Sequence, residues 1–134
     1  MKSDVLSLDT SRSNFVDITE AVNRFVAEAG GDGLVNVFVP HATAGLALIE
    51  TGSGSESDLA GAIDRVLPRD ARYAHRHGSP GHGADHLLPA FLSPSVSIPV
   101  VDGAVALGTW QSIVMVDLNA DNPTRKVRLS FVAG

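Results

Sequence analysis

Short strand-like segments that follow one another in pairs constrain the fold of this chain more than any other feature. The clearest pair runs over 96–101 and 104–107, because the Asp102-Gly103 between them suits a two-residue type I′ turn. Similar stretches lie at residues 5–16, 34–39, 46–49, 113–118 and 127–132. Neighbouring strands joined by short turns pair antiparallel. The pattern therefore predicts a mostly antiparallel sheet.

Two segments with helical periodicity interrupt the strands. The first follows Asp17, which can cap it, and ends at Gly30. Its apolar stripe consists of Ile18, Ala21, Val22, Phe25, Val26 and Ala29. The second begins near Ser55 and stops at Pro68. Both segments are long enough to cover one face of a sheet.

A third, shorter helix is expected from Asp85, as its cap, to Leu92. Residues 69–85 before it lack any period and are rich in glycine, proline and histidine, which is typical of a functional loop. Together the elements predict an α+β fold with two main helices and one short helix, in a single domain over residues 1–134.

The composition excludes several kinds of site and partner. The chain has no cysteine, so any metal must be held by nitrogen and oxygen atoms. A net charge of −5 disfavours a surface for nucleic-acid phosphates. No apolar run approaches the ~20 residues that cross a bilayer, and the chain does not begin with a secretory signal. We therefore expect a cytoplasmic protein with no nucleic-acid or membrane partner.

Histidines indicate a divalent metal site. His41 follows the strand predicted at 34–39, and His75 and His86 bracket the long loop. The three side chains converge if that loop folds over the strand end. Neutral imidazole is a common metal ligand, and three protein ligands with one open position are typical of catalytic zinc. A strand-end histidine hydrogen-bonded to the backbone is the alternative for His41.

The remaining histidines and the nearby carboxylates have simpler interpretations. We interpret His77 and His82 as solvated loop residues. Glu50 ends the strand after the His41 turn, where it can be a ligand, a general base or an orienting group, or else an exposed carboxylate. Asp58 is expected to be a charge at a helix start.

Aromatic and basic residues leave two further possibilities open. Trp110 can stack on a planar ring or fill the core. Arginines on the loop and on the last strand can hold a phosphate or form a solvated edge. They are Arg69, Arg72, Arg76, Arg125 and Arg128.

Several motifs in the chain resemble the YjbQ-like family. The residues from His41 to Leu46, followed by Glu50, resemble its HTTAGL…E signature, and Leu107 to Gln111 match its LGTWQ element. Segments 73–75, 81–86 and 95–100 match in the same order, so the similarity covers nearly the whole chain.

The resemblance implies a fold and an activity. It implies an α+β trimer with sites near subunit boundaries, and a secondary thiamine-phosphate synthase activity. That reaction joins a hydroxymethylpyrimidine pyrophosphate to a thiazole phosphate and releases pyrophosphate. The implied cofactor is a divalent metal, zinc or, for a pyrophosphate substrate, magnesium.

The resemblance also implies roles for individual residues. It places metal ligands at His41, His75 and His86, and catalytic groups at Glu50 and His41. The substrate-binding positions are Thr43, Thr109, Trp110 and Arg125. The expected ligand is a small phosphorylated molecule, bound by a homotrimer.

The chain departs from the family pattern at several positions. Ala42 stands where threonine is common, Ile49 where asparagine is common, and Leu88 where a basic residue is common. His82 and Ala84 occupy the places of an asparagine and of a second histidine or aspartate. If the asparagine and the basic residue contact phosphate in the family, these departures imply weaker synthase activity or another substrate.

Two other functions fit the same residues. One is a metal-assisted hydrolase of a small ester, lactone or phosphate, with Glu50 as the base. The other is a non-catalytic trimer that binds metal or a phosphorylated ligand.

Overall fold

The computed structural model describes residues 1–76 and 78–134 and forms two antiparallel sheets. The larger sheet has the strand order β1-β8-β3-β5-β6 and the smaller one β2-β7-β4. The strands are β1 Lys2–Asp9, β2 Phe15–Asp17, β3 Gly33–Phe38, β4 Gly45–Ile49, β5 Ser95–Val101, β6 Ala104–Val105, β7 Ser112–Val116 and β8 Thr124–Ala133. All strand pairs in the described residues are antiparallel, as predicted.

The predicted hairpin is present between β5 and β6. Both turn residues have positive φ, 52° for Asp102 and 74° for Gly103, which is the conformation of a type I′ turn. The second strand is only two residues long, shorter than predicted.

Two main helices are found, α1 Thr19–Ala29 and α2 Ser55–Val66. The Asp17 carboxylate accepts hydrogen bonds from the backbone N–H and the hydroxyl of Thr19, at 3.0 and 2.7 Å, so it supports the start of α1. The α+β prediction is confirmed.

The predicted short helix is divided into two single turns, α3 His82–Asp85 and α4 Leu88–Phe91. The prediction that Asp85 caps this helix is wrong. Asp85 is the last residue of α3, and its carboxylate is buried in an ion pair.

The core lies on both faces of the smaller sheet. On one face, α1 buries Val22, Phe25 and Val26 against the larger sheet and β7. On the other face, Val114 and Val116 of β7 contact a second apolar cluster. That cluster also contains Ile63, Leu67, Ala84 and Leu88. It therefore anchors α3 and α4, and with them the end of the long loop, to a central strand.

Across the described residues, no helix is both long and apolar enough to cross a membrane.

Candidate metal centre

Three histidines form a compact group near α3. The possible ligand nitrogens of His75, His82 and His86 all lie within 4.8 Å of one another. The Nε2 atoms of His82 and His86 are 2.9 Å apart. The His75 ring centroid lies 4.9 Å from that of His82 and 4.0 Å from that of His86. All three side chains are partly buried.

Local geometry explains how the group forms. His82 begins α3 and His86 follows it, and the backbone N–H of His86 donates to the His82 carbonyl at 3.1 Å. Residues four apart in a helical turn lie on the same face. Gly83 lets His75 approach, because a Cβ there would lie 2.6 Å from the His75 carbonyl oxygen.

Asp121, in the loop between β7 and β8, contacts the group from the other side. Its Oδ2 lies 2.8 Å from Nδ1 of His82 and also accepts a hydrogen bond from the Ser79 backbone N–H at 3.2 Å. Hydrogen bonds from Ser79, followed by the contact with His82, lower the pKa of Asp121. The carboxylate is therefore ionised at neutral pH.

Asp85 directly precedes His86, but its carboxylate is already paired with other side chains. Its carboxylate is 1% exposed, forms an ion pair with Arg69, and accepts a hydrogen bond from Asn119 Nδ2 at 2.9 Å. The hydrogen bond to Asp85 is the main cause that raises the pKa of Arg69. Arg69 thus ties the start of the long loop to α3.

His41 lies at a different place from the three-histidine group. Its Nε2 accepts a hydrogen bond from the Lys126 backbone N–H at 2.9 Å, which matches the alternative interpretation of a strand-end histidine. Burial, followed by the charge of Arg125, lowers the pKa of His41. The predicted ligand set and the observed group therefore share His75 and His86, and they differ in the third member.

Arg125 and Thr43, predicted to bind substrate, belong to a buried polar network. Arg125 is 2% exposed, and its Nε and Nη2 donate to the Asp117 carboxylate at 2.7 and 3.0 Å. Its Nη2 also donates to Thr43 Oγ1 at 2.7 Å. Thr10 adds a hydrogen bond to Asp117 at 2.7 Å. Because Arg125 is buried among these partners, it supports the fold of this chain rather than direct contact with a ligand.

Of the other predicted site residues, Trp110 and Thr109 are exposed and Glu50 is partly buried. Trp110 is 74% exposed, so the interpretation as a core aromatic is wrong. Thr109 is exposed beside it, in a turn closed by the hydrogen bond from Gln111 N–H to the Gly108 carbonyl at 3.1 Å. Glu50 accepts a hydrogen bond from Ser53 Oγ at 2.9 Å. The residues that line the cleft beside the histidines include none of the three.

That cleft has a volume of about 350 Å³ and is formed by the long loop. Its lining includes Arg69, Tyr73, His75, Arg76, Ser79 and His82. Arg76 is exposed and donates from Nε to the Tyr73 carbonyl at 2.7 Å, and no described carboxylate forms an ion pair with it. The cleft therefore joins a group of imidazoles to a guanidinium, a combination that suits an anionic ligand on a metal.

Sequence reasoning missed His82, Asp121 and Asn119. A signal for His82 was present, because the pair His82 and His86 has the four-residue spacing of one helical face. The expected helix start at Asp85 hid that signal. The solvated-loop interpretation of His82 is wrong, since its side chain is 13% exposed. His77, interpreted in the same way, lies outside the described residues.

The fold and the site define a small α+β protein with a candidate three-histidine metal centre beside a cleft lined in part by Arg69 and Arg76. The chain belongs to the YjbQ-like family of UPF0047 proteins, whose sequence model matches residues 4–134.

Relatives extend over the whole chain. The UPF0047 protein Rv2556c of Mycobacterium tuberculosis is 65% identical over 134 residues and covers 100% of both chains. A UPF0047 protein of Methanothermobacter thermautotrophicus is 35% identical over 96% of this chain and 90% of its own. A YbjQ-like protein of unknown function from Sulfolobus solfataricus has a similar crystal structure, with a TM-score of 0.91, 25% identity and coverage of 99% and 97%.

Proposed function

We propose that this protein is a metal-dependent enzyme that binds a small phosphorylated molecule beside the three-histidine centre. One observation carries the proposal: the donor nitrogens of His75, His82 and His86 lie within 4.8 Å of one another, and two of these histidines, His75 and His82, line a cleft of about 350 Å³. The three partly buried imidazoles adjoin a space of the size of a small-molecule site, and a few polar groups converging on such a space are typical of ligand binding.

The donor set favours zinc. Three imidazole nitrogens with room for a further ligand are typical of catalytic zinc sites, in which zinc–nitrogen distances are about 2.0–2.1 Å. Imidazole also suits copper, nickel and iron. Magnesium prefers oxygen ligands, so we expect magnesium here only together with a pyrophosphate substrate.

The resemblance to the family suggests the reaction, a secondary thiamine-phosphate synthesis with release of pyrophosphate. When bound, the metal would supply Lewis-acid stabilisation of the negative charge on the phosphates. Arg76 is the residue that we expect to contact a phosphate, because it lines the cleft and is exposed. Arg69 would shape the cleft wall, since its guanidinium is held by Asp85.

We also expect a homotrimer in the cytoplasm, as the resemblance implies. The outer face of the larger sheet supports a subunit contact, because Leu34 and Phe38 of β3 and Val132 of β8 are exposed there. Leu34 and Val132 are neighbours across the two strands. Apolar side chains grouped on a sheet face are typical of a surface covered in an assembly.

Metal analysis of the purified full chain, followed by two activity assays, tests the proposal. We expect close to one zinc per chain, loss of zinc in His75→Gln and His86→Gln, and rescue of a thiamine-requiring host that lacks its main synthase. A protein without bound metal, and without affinity for added zinc, would refute the metal centre.

The same assays separate the other functions. Failure of rescue together with metal-dependent hydrolysis of a model ester or phosphate would favour the hydrolase. Glu50 is not among the described residues that line the cleft, and it accepts a hydrogen bond from Ser53. Its role as the base therefore needs a direct test, which Glu50→Gln provides in the hydrolysis assay. Stoichiometric metal without turnover in either assay would favour a binding protein.

A further inference from the structure

One carboxylate oxygen of Asp121 contacts both the His82 ring and the backbone of the long loop. The carboxylate oxygen that lies 2.8 Å from Nδ1 of His82 also accepts the backbone N–H of Ser79 at 3.2 Å. A backbone N–H can only donate, so this oxygen acts as an acceptor toward its neighbours. Asn119 Nδ2 also lies 3.3 Å from Nδ1 of His82, but it donates to Asp85 at the shorter distance of 2.9 Å. The 2.8 Å contact with the Asp121 carboxylate is closer and needs a donor, so the geometry favours the tautomer of His82 with its proton on Nδ1.

With the proton on Nδ1, the lone pair of His82 is on Nε2, the nitrogen that faces the group. Nε2 of His82 lies 2.9 Å from Nε2 of His86, and the His75 ring stacks on the His82 ring with an interplanar angle of 20°. A neutral imidazole binds a metal through the nitrogen without the proton, and the hydrogen bond at the other nitrogen decides which one that is.

The loop that carries Asp121 is itself held in place. The Asp121 backbone N–H donates to Asn119 Oδ1 at 2.9 Å, and Asn119 Nδ2 donates to the buried Asp85 at 2.9 Å. The Asn119 backbone N–H donates to Asp117 at 3.0 Å, and Asp117 is paired with the buried Arg125. Asp121 is thus linked to groups that are almost fully buried, so its position does not depend on solvent-exposed contacts alone.

Gly78 leaves the space that this contact needs. Its φ is +87°, and a Cβ at this position would lie 2.6 Å from Nδ1 of His82 and 3.0 Å from Oδ2 of Asp121. Any side chain at position 78 would therefore push apart the two groups that form the hydrogen bond. The close approach of His82 and Asp121 therefore depends on Gly78 in the long loop and on the hydrogen-bonded loop that carries Asp121.

We propose that Asp121 is the positioning residue of the three-histidine centre, and that it fixes His82 as the Nδ1–H tautomer so that Nε2 is available to the metal. This inference rests on the proposed metal-dependent function. It assigns the third ligand, which the sequence pattern did not identify, and names the residue that prepares it. An ordered outer carboxylate commonly raises metal affinity by about 10–100-fold.

The test compares Asp121→Asn and Asp121→Ala with Asp58→Asn, a matched loss of one charge on the exposed face of α2. Asparagine can accept or donate at this position and so permits both tautomers, whereas alanine removes the partner. Long-range ¹H–¹⁵N spectra of the metal-free full chain report the tautomer of His82, with His82→Gln to assign the signal. Titration with zinc against a chelator gives the affinity, and thermal unfolding without metal checks the fold.

We expect the Nδ1–H tautomer in the wild-type protein and in Asp58→Asn, and a shift toward Nε2–H in both Asp121 variants. Zinc affinity should fall about 10–100-fold in those variants only. An unchanged tautomer, or an unchanged affinity in variants that remain folded, would overturn the role of Asp121. If the wild-type protein binds no zinc, the proposed function fails, whereas the tautomer in the metal-free protein still decides whether Asp121 sets the state of His82.

Discussion

The Nε2 atoms of His82 and His86 lie 2.9 Å apart, at the distance of a hydrogen bond. Two neutral imidazole nitrogens approach so closely when one donates a proton to the other, or when both turn toward the same cation. In the Nδ1–H tautomer proposed for His82, Nε2 of His82 would be the acceptor in this pair. A metal would therefore replace one proton between two rings that are already in place.

The first prediction concerns which histidine completes the ligand set. We expect His82→Gln to lose stoichiometric zinc, because it removes one of three grouped donors. We expect His41→Gln to retain zinc, since His41 is bonded to the Lys126 backbone instead. Mass spectrometry of metals in the purified variants and calorimetric titration with zinc measure the difference. Loss of zinc in His41→Gln with retention in His82→Gln would restore the ligand set inferred from the sequence.

The second prediction concerns the buried pair of Arg125 and Asp117. Arg125→Met leaves the Asp117 carboxylate, which is 1% exposed, without its main partner. We expect a loss of about 3–5 kcal/mol in the free energy of unfolding, because an uncompensated buried charge is costly. Arg128→Met is the matched control on the same strand, where the side chain is exposed, and should change stability by less than about 0.5 kcal/mol. Equal effects in urea unfolding would contradict this assignment.

The third prediction concerns anion binding in the cleft. Arg76→Gln should weaken binding of inorganic pyrophosphate to the zinc-loaded protein by about 10-fold or more, as expected for loss of a charge-assisted hydrogen bond. Zinc affinity itself should not change. Arg72→Gln is the control, because Arg72 is exposed and paired with Asp70 at 2.8 Å. Calorimetry measures both constants, and an equal loss in the two variants would show a general effect of charge rather than a subsite.

The fourth prediction concerns pH. Because burial and then Arg125 lower the pKa of His41, the unfolded chain takes up a proton at this position more readily than the folded protein does. His41 therefore contributes stability that is present above the ordinary histidine pKa of about 6.5 and is lost as the pH falls through the lower pKa of the folded state. Lowering the pH from about 7.5 to about 5 should therefore destabilise the wild-type protein more than His41→Gln. Thermal unfolding in the presence of a chelator measures this difference. A constant difference across this range would contradict the prediction.

Much of the fold follows from local patterns. The positive φ values at Asp102 and Gly103 are those that the dipeptide favours, so the hairpin was predictable from two residues. The stripe of α1 is buried where its period places it, with Val22 and Val26 fully inaccessible. Such features depend on chain geometry within a few residues, and the sequence carries that information directly.

The candidate site was predicted only in part. The sequence predicts His75 and His86 as ligands together with His41, whereas the structure groups His75 and His86 with His82. Asp85 was interpreted as a helix cap, whereas it pairs with Arg69 sixteen residues earlier in the chain. Trp110 is exposed although a lone tryptophan is most often part of a core. The contacts of Asp85 with Arg69 and of His82 with Asp121 join residues 16 and 39 positions apart, and the exposure of Trp110 depends on the whole fold, so local patterns do not decide them.

The amino-acid sequence by itself determined the α+β class, the paired strands, the two main helices and the concentration of imidazoles in one loop. These depend on side-chain period and turn chemistry, which act over neighbouring residues. Only the tertiary structure decided which imidazoles meet and which carboxylate faces them. Docking of α3 on the apolar cluster around Val114 and Val116 sets the direction of His82 and His86, and the loop after β7 brings Asp121 to them. That docking depends on burial of apolar surface between remote segments, which no local pattern encodes.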